Sequence, residues 1–525
     1  MDTKALRQKI LDLAIRGKLV PQNPNDEPAS VLLERIRAEK QQMVKDGKLK
    51  AKDIKNDTVI FLGDDNLHYE KFPDGTVKCI EDEIPFELPE GWEWTRLQAI
   101  CEPITDGTHK TPTYSDEGFI FLSSKNVTSG HIDWDNIMYI PESLHNELYA
   151  RLAPQKNDIL LAKNGTTGVA AIVDRDCIFD IYVSLALLRI IGYIISPEYL
   201  LSTIASSTIQ NYFNSSLKGI GVPNLHLEHI RTTLIPVAPI NEQYRIATKL
   251  EQLLSFADNI ESDKTDLQTT IQLTKSKILD LAIRGKLVPQ NPDDEPASVL
   301  LEPIRAEKEE LIKQGKIKRD KKKSVIFRGD DNSYYLRMGN LIETLDDWRI
   351  NDIPYSWGIC CLGEVCDYGN CTNVDTIDIP KTAWILDLED IEKDTGKVSQ
   401  KLTLKERNSA STKHSFHKGQ VLYSKLRPYL NKVVLVDDDG YCTSEILPLD
   451  FNKYILPEYA KYYLMSPTFL RYANHCSYGV KMPRLGTLDG RKAVLIVPPV
   501  NEQKRIADKV SQLFSLLDSI ADNVN

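Results

Sequence analysis

The sequence has no apolar run long enough to cross a membrane. Its most apolar stretch, Ile181 to Ile195, spans about 15 residues and carries Arg189, short of the ~20 a spanning helix needs. One or two buried strands are expected there instead. The start, Met1-Asp2-Thr3-Lys4, leads into a charged amphipathic segment rather than a secretory signal. Cysteine is sparse: nine residues and no C-x-x-C pair. Cys360, Cys361, Cys366 and Cys371 cluster without zinc-like spacing or matched histidines, so reduced thiols in a cytoplasmic chain are expected. His414 and His417 stand three apart with no further ligands nearby in sequence; no metal site is expected.

Catalytic and nucleotide signatures are missing too. There is no G-x-x-x-x-G-K-[ST] loop. Gly219-Ile220-Gly221-Val222-Pro223-Asn224 lacks the third glycine of a dinucleotide fingerprint and has proline where a helix would start. No Asn/Asp-Pro-Pro-aromatic motif of amino-methyltransferases occurs, and Pro73-Asp74 sits in a turn-like stretch without a nuclease partner motif. The expectation is a recognition protein with no catalytic residues. Positive charge is in deficit, with a formal net charge of −10. That argues weakly against nucleic acid, but a binding face needs only local basic density.

What the sequence does have is repetition. Residues 9–40 and 277–308 match at thirty of thirty-two positions, at an offset of 268 in 525 residues. The period is far beyond the roughly 20–50 residues of a solenoid unit. A second repeat, Asn241-Glu242-Gln243-Tyr244-Arg245-Ile246-Ala247 and Asn501-Glu502-Gln503-Lys504-Arg505-Ile506-Ala507, has an offset of 260. Each copy follows an apolar, proline-bearing stretch that suits a strand-to-helix boundary.

Behind the first copy a heptad seam runs through Ile246, Leu250, Leu253, Ile260, Leu267, Ile271 and Ile278. It predicts a coiled-coil helix, ended near Gly285. The second copy keeps the seam at Ile506, Val510, Leu513 and Leu517. The two offsets make the C-terminal helix the first part of the long helix and residues 1–16 its second part. The expectation is an antiparallel helix pair, one member split, in a pseudo-two-fold, circularly closed chain.

Between the helices lie charged segments: a lysine-rich one at 41–85, and one within 289–350 that reads KIKRDKKK at 316–323. For the lysine runs solvated inserts are expected, with phosphate contact as the alternative; each segment then runs into a short strand-like stretch, Val59-Ile60-Phe61 and Val325-Ile326-Phe327. Two diverged blocks, 86–240 and 351–500, each read as a mixed α+β domain. Asn157 to Gly168 aligns with a stretch ending at Lys432, and Lys218 to Asn224 aligns with Ser477 to Arg484. Their loops offer donors for phosphates and base edges. The candidates are Thr108, His109, Lys110, Thr111, Lys125, Asn126, Lys163, Asn164, Thr166, Lys218 and Asn224 in the first block. In the second they are Lys425, Arg427, Tyr429, Asn431, Lys432, Tyr478, Lys481 and Arg484.

On these residues the chain resembles the specificity subunits of Type I restriction–modification enzymes. The marks are the two N-E-Q-x-R-I-A segments, A-I-R-G-K-L-V at 282–288 and its N-terminal copy, D-G-T-H-K-T-P at 106–112, and V-L-Y-S-K-L-R-P-Y-L at 421–430. The resemblance implies target-recognition domains at 86–240 and 351–500. A helical region at 1–40, a central helix at 241–288 and a C-terminal helix at 501–525 would hold them apart. It implies double-stranded DNA read as a split site, two methyltransferase subunits docked on the helices, and restriction/translocase subunits in the full complex. S-adenosylmethionine, ATP and Mg2+ would serve those partners, with none bound by this chain. The competing readings are a protein-interaction scaffold and an enzyme with a cryptic nuclease or methyltransferase site.

Overall fold

A single helix, Ile240–Ile283, runs for 44 residues, about 66 Å at 1.5 Å per residue. Along it Ile246, Leu250, Ala257, Ile271 and Ile278 are buried and Leu253, Ile260 and Leu267 half-buried, as the seam predicts. It stops just before Gly285, whose left-handed φ of 66° carries the chain out of the helix. A Cβ at Gly285 would also collide with the Pro354 ring. In this computed structural model the described residues are 2–128, 130–217, 223–315, 324–331, 333–345, 353–407, 409–451 and 453–524. They mix helix and sheet and divide into two units, Met1–Asp263 and Lys264–Asn525. None of their helices is long and apolar enough to cross a membrane.

In the first unit, helices Thr3–Ile15 and Ala29–Lys45 flank the turn at Gly17. Thr3–Ile15 lies antiparallel to the start of the long helix: Arg7 pairs with Asp258, and the Thr3 hydroxyl donates to Glu261. Strand Glu93–Arg96 pairs antiparallel with Leu234–Val237, which leads directly into the long helix. Between them an antiparallel sheet orders Thr105–Asp106, Leu185–Leu188, Ile159–Ala162 and Ala170–Ile172. A second sheet places Phe179–Ile181 parallel to Phe119–Leu122, with Met138–Ile140 antiparallel on the other side. The apolar stretch at 181–195 thus supplies the end of one buried strand and the whole of another.

The second unit repeats the frame. Strand Gly358–Cys361 pairs with Val494–Val497, which precedes helix Val500–Val524. Against that helix lies the end of the long one: Lys275 pairs with Asp518 and sits 5.2 Å over the Phe514 ring. At the two offsets, Arg7–Asp258 and Lys275–Asp518 are the same pair. A three-stranded sheet orders Val433–Leu435, Val421–Ser424 and Ile446–Leu449. Beside it stands a five-stranded sheet whose order begins at Asn373–Val374 and Lys413–Phe416.

In the charged segments the two strand-like stretches are strands, Val59–Leu62 and Ser324–Arg328. Each belongs to an antiparallel sheet, Val59–Leu62 with His68–Lys71 and Val77–Cys79, and Ser324–Arg328 with Tyr334–Met338 and Leu341–Thr344. Each has an apolar anchor: Ile60 and Ile80 pack with Trp94, and Ile326 and Leu336 join the core of the second unit. Lys45, Lys48, Lys50, Lys52 and Lys55 are exposed. The run 316–323 lies outside the described residues.

Candidate nucleic-acid interface

In the first unit, strand Ile159–Ala162 ends at Lys163, and the chain then turns through Asn164, Gly165 and Thr166. Two backbone bonds set the turn: Lys163 donates to the Ser184 carbonyl at 2.8 Å, and Leu225 donates to the Lys163 carbonyl at 2.9 Å. Asn164 thereby bridges to Asn224, which joins two of the candidate loops. A third joins at Gly107, where a Cβ would collide with the Ile181 carbonyl. Only glycine allows the D-G-T-H loop to lie on that strand. Thr108 then pairs with Tyr182, leaving His109, Lys110 and Thr111 exposed beyond it. Lys125 is exposed on the 3-10 turn Ser124–Asn126, and the Thr166 hydroxyl approaches the Ser124 carbonyl at 3.5 Å.

The second unit builds the same junction from different side chains. Lys425 donates its backbone N–H to the Glu445 carbonyl at 3.1 Å, Leu485 donates to the Lys425 carbonyl at 3.0 Å, and Leu426 bridges to Arg484. Tyr478 and Arg484 close a small turn with reciprocal backbone bonds of 3.1 and 3.0 Å. Lys481, Tyr478 and Tyr429 are exposed there.

Several candidates face inward, and these are corrections. Lys163 is buried and ion-paired with buried Asp106, because a cation taken from water needs a carboxylate. Asn126 is buried with its amide spent on the Asp133 and Asn136 carbonyls and its oxygen on the Ser123 N–H. Asn431 is buried and donates to the Met465 carbonyl at 3.1 Å. Lys432 donates to the Leu388 carbonyl, and burial pushes its pKa below the usual lysine value. Arg484 is held by Glu445 through bonds of 3.0 to 3.2 Å. The first four shape the loops from behind, while Arg484 is paired but half-exposed. Lys218 lies outside the described residues.

Ser184 and Glu445 did not stand out in sequence, nor did the pairing of Asp106, the first residue of D-G-T-H-K-T-P, with Lys163, because their partners are 60, 39 and 57 residues away. His414 and His417 serve locally: His414 bonds the Ile446 carbonyl, and His417 approaches Asp450 at 3.3 Å. Among the described residues no group of three or more His, Cys, Asp or Glu side chains could hold a metal.

The N-E-Q-x-R repeat proves to be a joint. Buried Glu242 accepts from the Trp92 indole at 3.1 Å, and Glu502 from Trp357 at 2.9 Å. Burial raises both carboxyl pKa values. Gln243 accepts from the Ser196 N–H and Gln503 from the Leu456 N–H, each at 2.9 Å. Arg245 reaches Asp26 at 2.6 Å and Arg505 reaches Asp294 at 2.7 Å, tying each helix start to the thirty-two-residue repeat. The hydrogen-bonded guanidinium holds each aspartate below the usual carboxylate range.

Residues 89–268 match the Type I restriction modification DNA specificity domain. This chain belongs to the Type I restriction–modification specificity-subunit family. The EcoAI specificity subunit of Escherichia coli is 31% identical over 70% of this chain and 63% of its own length. The EcoEI specificity subunit of the same species is 25% identical over 98% of this chain and 90% of its own. The match thus spans less than two thirds of the first relative and nearly all of the second. Among solved structures, one from work on complex assembly and conformational transition of the type I R-M system aligns with a TM-score of 0.54 at 18% identity. It covers 84% of this chain and 94% of its own; at that identity the likeness concerns the fold alone.

Proposed function

We propose that the chain is the non-catalytic DNA-reading subunit of a Type I restriction–modification complex, each unit reading one half of a split double-stranded site. The observation that carries this reading is the duplicated loop junction, Asn164 with Asn224 and Leu426 with Arg484. Both units keep its backbone bonds and change its side chains, as two readers of different sequences on one frame would. Exposed donors at such a junction suit base edges and phosphates.

In the same reading, Ile240–Ile283 and the two terminal helices form one near-symmetric, circularly closed coiled-coil frame. The frame sets the length of the unread spacer and docks two methyltransferase subunits, with restriction/translocase subunits joining the full complex. The equivalent pairs Arg7–Asp258 and Lys275–Asp518 support it. Phe256 and Leu516, equivalent at the 260 offset and exposed at 62% and 59%, are duplicated apolar positions at which the two methyltransferase subunits would dock. S-adenosylmethionine, ATP and Mg2+ act on those partners.

Footprinting the assembled complex tests the reading. Two protected blocks separated by an unprotected gap are expected; one continuous block would refute a split site. The chain alone, given DNA, Mg2+ and methyl donor, should neither cleave nor methylate. With its net charge of −10 it should also bind DNA weakly without its partners.

A further inference from the structure

At the duplicated junction the two units differ at two backbone positions that demand left-handed geometry. After Lys163 the first unit places Gly165 and Gly168, with φ of 76° and 87°. After Lys425 the second unit, whose loop is one residue longer, places Arg427 and Asn431 there, with φ of 49° and 48°. The match is set by equivalent hydrogen bonds: Ala162 donates to the Val169 carbonyl at 2.8 Å, and Ser424 to the Lys432 carbonyl at 3.0 Å. Glycine takes this geometry freely, whereas a side chain is strained in it. Asparagine tolerates it better than most, and Asn431 is buried and bonded to the Met465 carbonyl. Arginine has no such excuse, and Arg427 also precedes Pro428, a position that favours extended backbone.

The strained backbone is held by two bonds, one from outside the loop and one within it. The Arg427 N–H donates to the Pro483 carbonyl at 2.7 Å, and the Leu430 N–H donates to the Arg427 carbonyl at 2.9 Å. The side chain returns nothing for it: its Nε is buried and has no hydrogen-bond partner among the described residues. Arg484, bridged to Leu426, is by contrast paired with Glu445. A buried guanidinium N–H left unpaired is costly unless a ligand completes it. Around it, Tyr429 and Tyr478 are exposed at 47% and 63%, aromatic surface of the kind that meets nucleic acid.

We infer that Arg427 is the principal DNA-gripping side chain of the second unit, held in strained backbone so that its fork meets a pair of acceptor atoms on the DNA. That pair is either two phosphate oxygens or the O6/N7 edge of a guanine, which share the same geometry. The first unit has glycine at this position and must grip its half-site with other groups. The inference rests on the reading of the second unit as a half-site reader.

The test uses the assembled complex and duplexes carrying the motif mapped by methylation of the wild type. R427G relieves the strain and removes the side chain; R427N also tolerates the backbone and removes the cation. Both should weaken binding at least tenfold and erase protection of one half-site, leaving the other intact. The melting temperature of R427G should be unchanged or higher. Wild-type affinity should fall on duplexes with either 7-deazaguanine or methylphosphonate at one position, and R427G should be indifferent to that same change; whichever modification acts names the acceptor. Unaltered binding by R427G, a lowered melting temperature, or wild-type indifference to both modifications would overturn the inference. A wild-type complex lacking two protected blocks would instead refute the half-site reading beneath it.

Discussion

Lys163 shows how a polar loop residue can be structural. Its ammonium and the Asp106 carboxylate are both buried, so each pays for the other's desolvation. Lys163→Met should leave the buried Asp106 carboxylate with only the exposed His109 ring, 3.3 Å away, and cost about 3–5 kcal/mol, read as a fall in the melting temperature of the first unit. Lys125→Ala, at an exposed site, should change stability by less than about 0.5 kcal/mol while weakening DNA binding by the assembled complex. A loss of stability in Lys125→Ala equal to that of Lys163→Met would reverse these assignments. Asp26 and Asp294 make a pH prediction. Their folded pKa values lie below the unfolded value of 3.8, so the folded state holds fewer protons in that range. Their contribution is therefore present above pH about 4 and is lost as pH falls through the lowered folded values. Asp26→Asn should lower the melting temperature at pH 6, with the gap from wild type closing as pH drops below 4. A gap independent of pH would remove the ion pair as its cause.

Among the elements, the long helix was the most legible. Its seam repeats every 3.5 residues, and burial at Ile246, Leu250, Ile271 and Ile278 follows it. The helix-start motif was visible as a repeat, but its role was not. Glu242 and Trp92 are 150 residues apart, and Arg245 and Asp26 are 219 apart, so no local pattern links them. Trp92→Phe should leave the Glu242 carboxylate short of a donor in a buried site and cost about 1–3 kcal/mol; Trp357→Phe should do the same in the second unit. An unchanged melting temperature in both would mean the joint is not a strong one. In the small sheets at 59–79 and 324–344 the first strands were legible as the apolar runs Val59-Ile60-Phe61 and Val325-Ile326-Phe327, whereas their partners escaped because they are only three to five residues long. The loops were placed correctly at strand ends, yet Asn126, Lys163 and Asn431 were assigned to the surface. Residue type alone does not separate a donor aimed at DNA from one spent on a neighbouring carbonyl.

For the whole molecule, two offsets in the sequence, 268 and 260, describe a frame kept constant while the side chains of the two loop junctions diverge. If the helices fix the distance between half-sites, inserting one heptad after Ile260 should lengthen the accepted spacer or abolish recognition, as read from the methylated motif. An unchanged spacer would remove the helices from that role. The central claim, one chain reading two halves of one site, is tested most directly by methylome sequencing of cells carrying this chain with its methyltransferase partner. The account predicts a single motif made of two specified blocks separated by a fixed number of unspecified bases, absent when this chain is deleted. A contiguous motif, or methylation that persists without the chain, would contradict it.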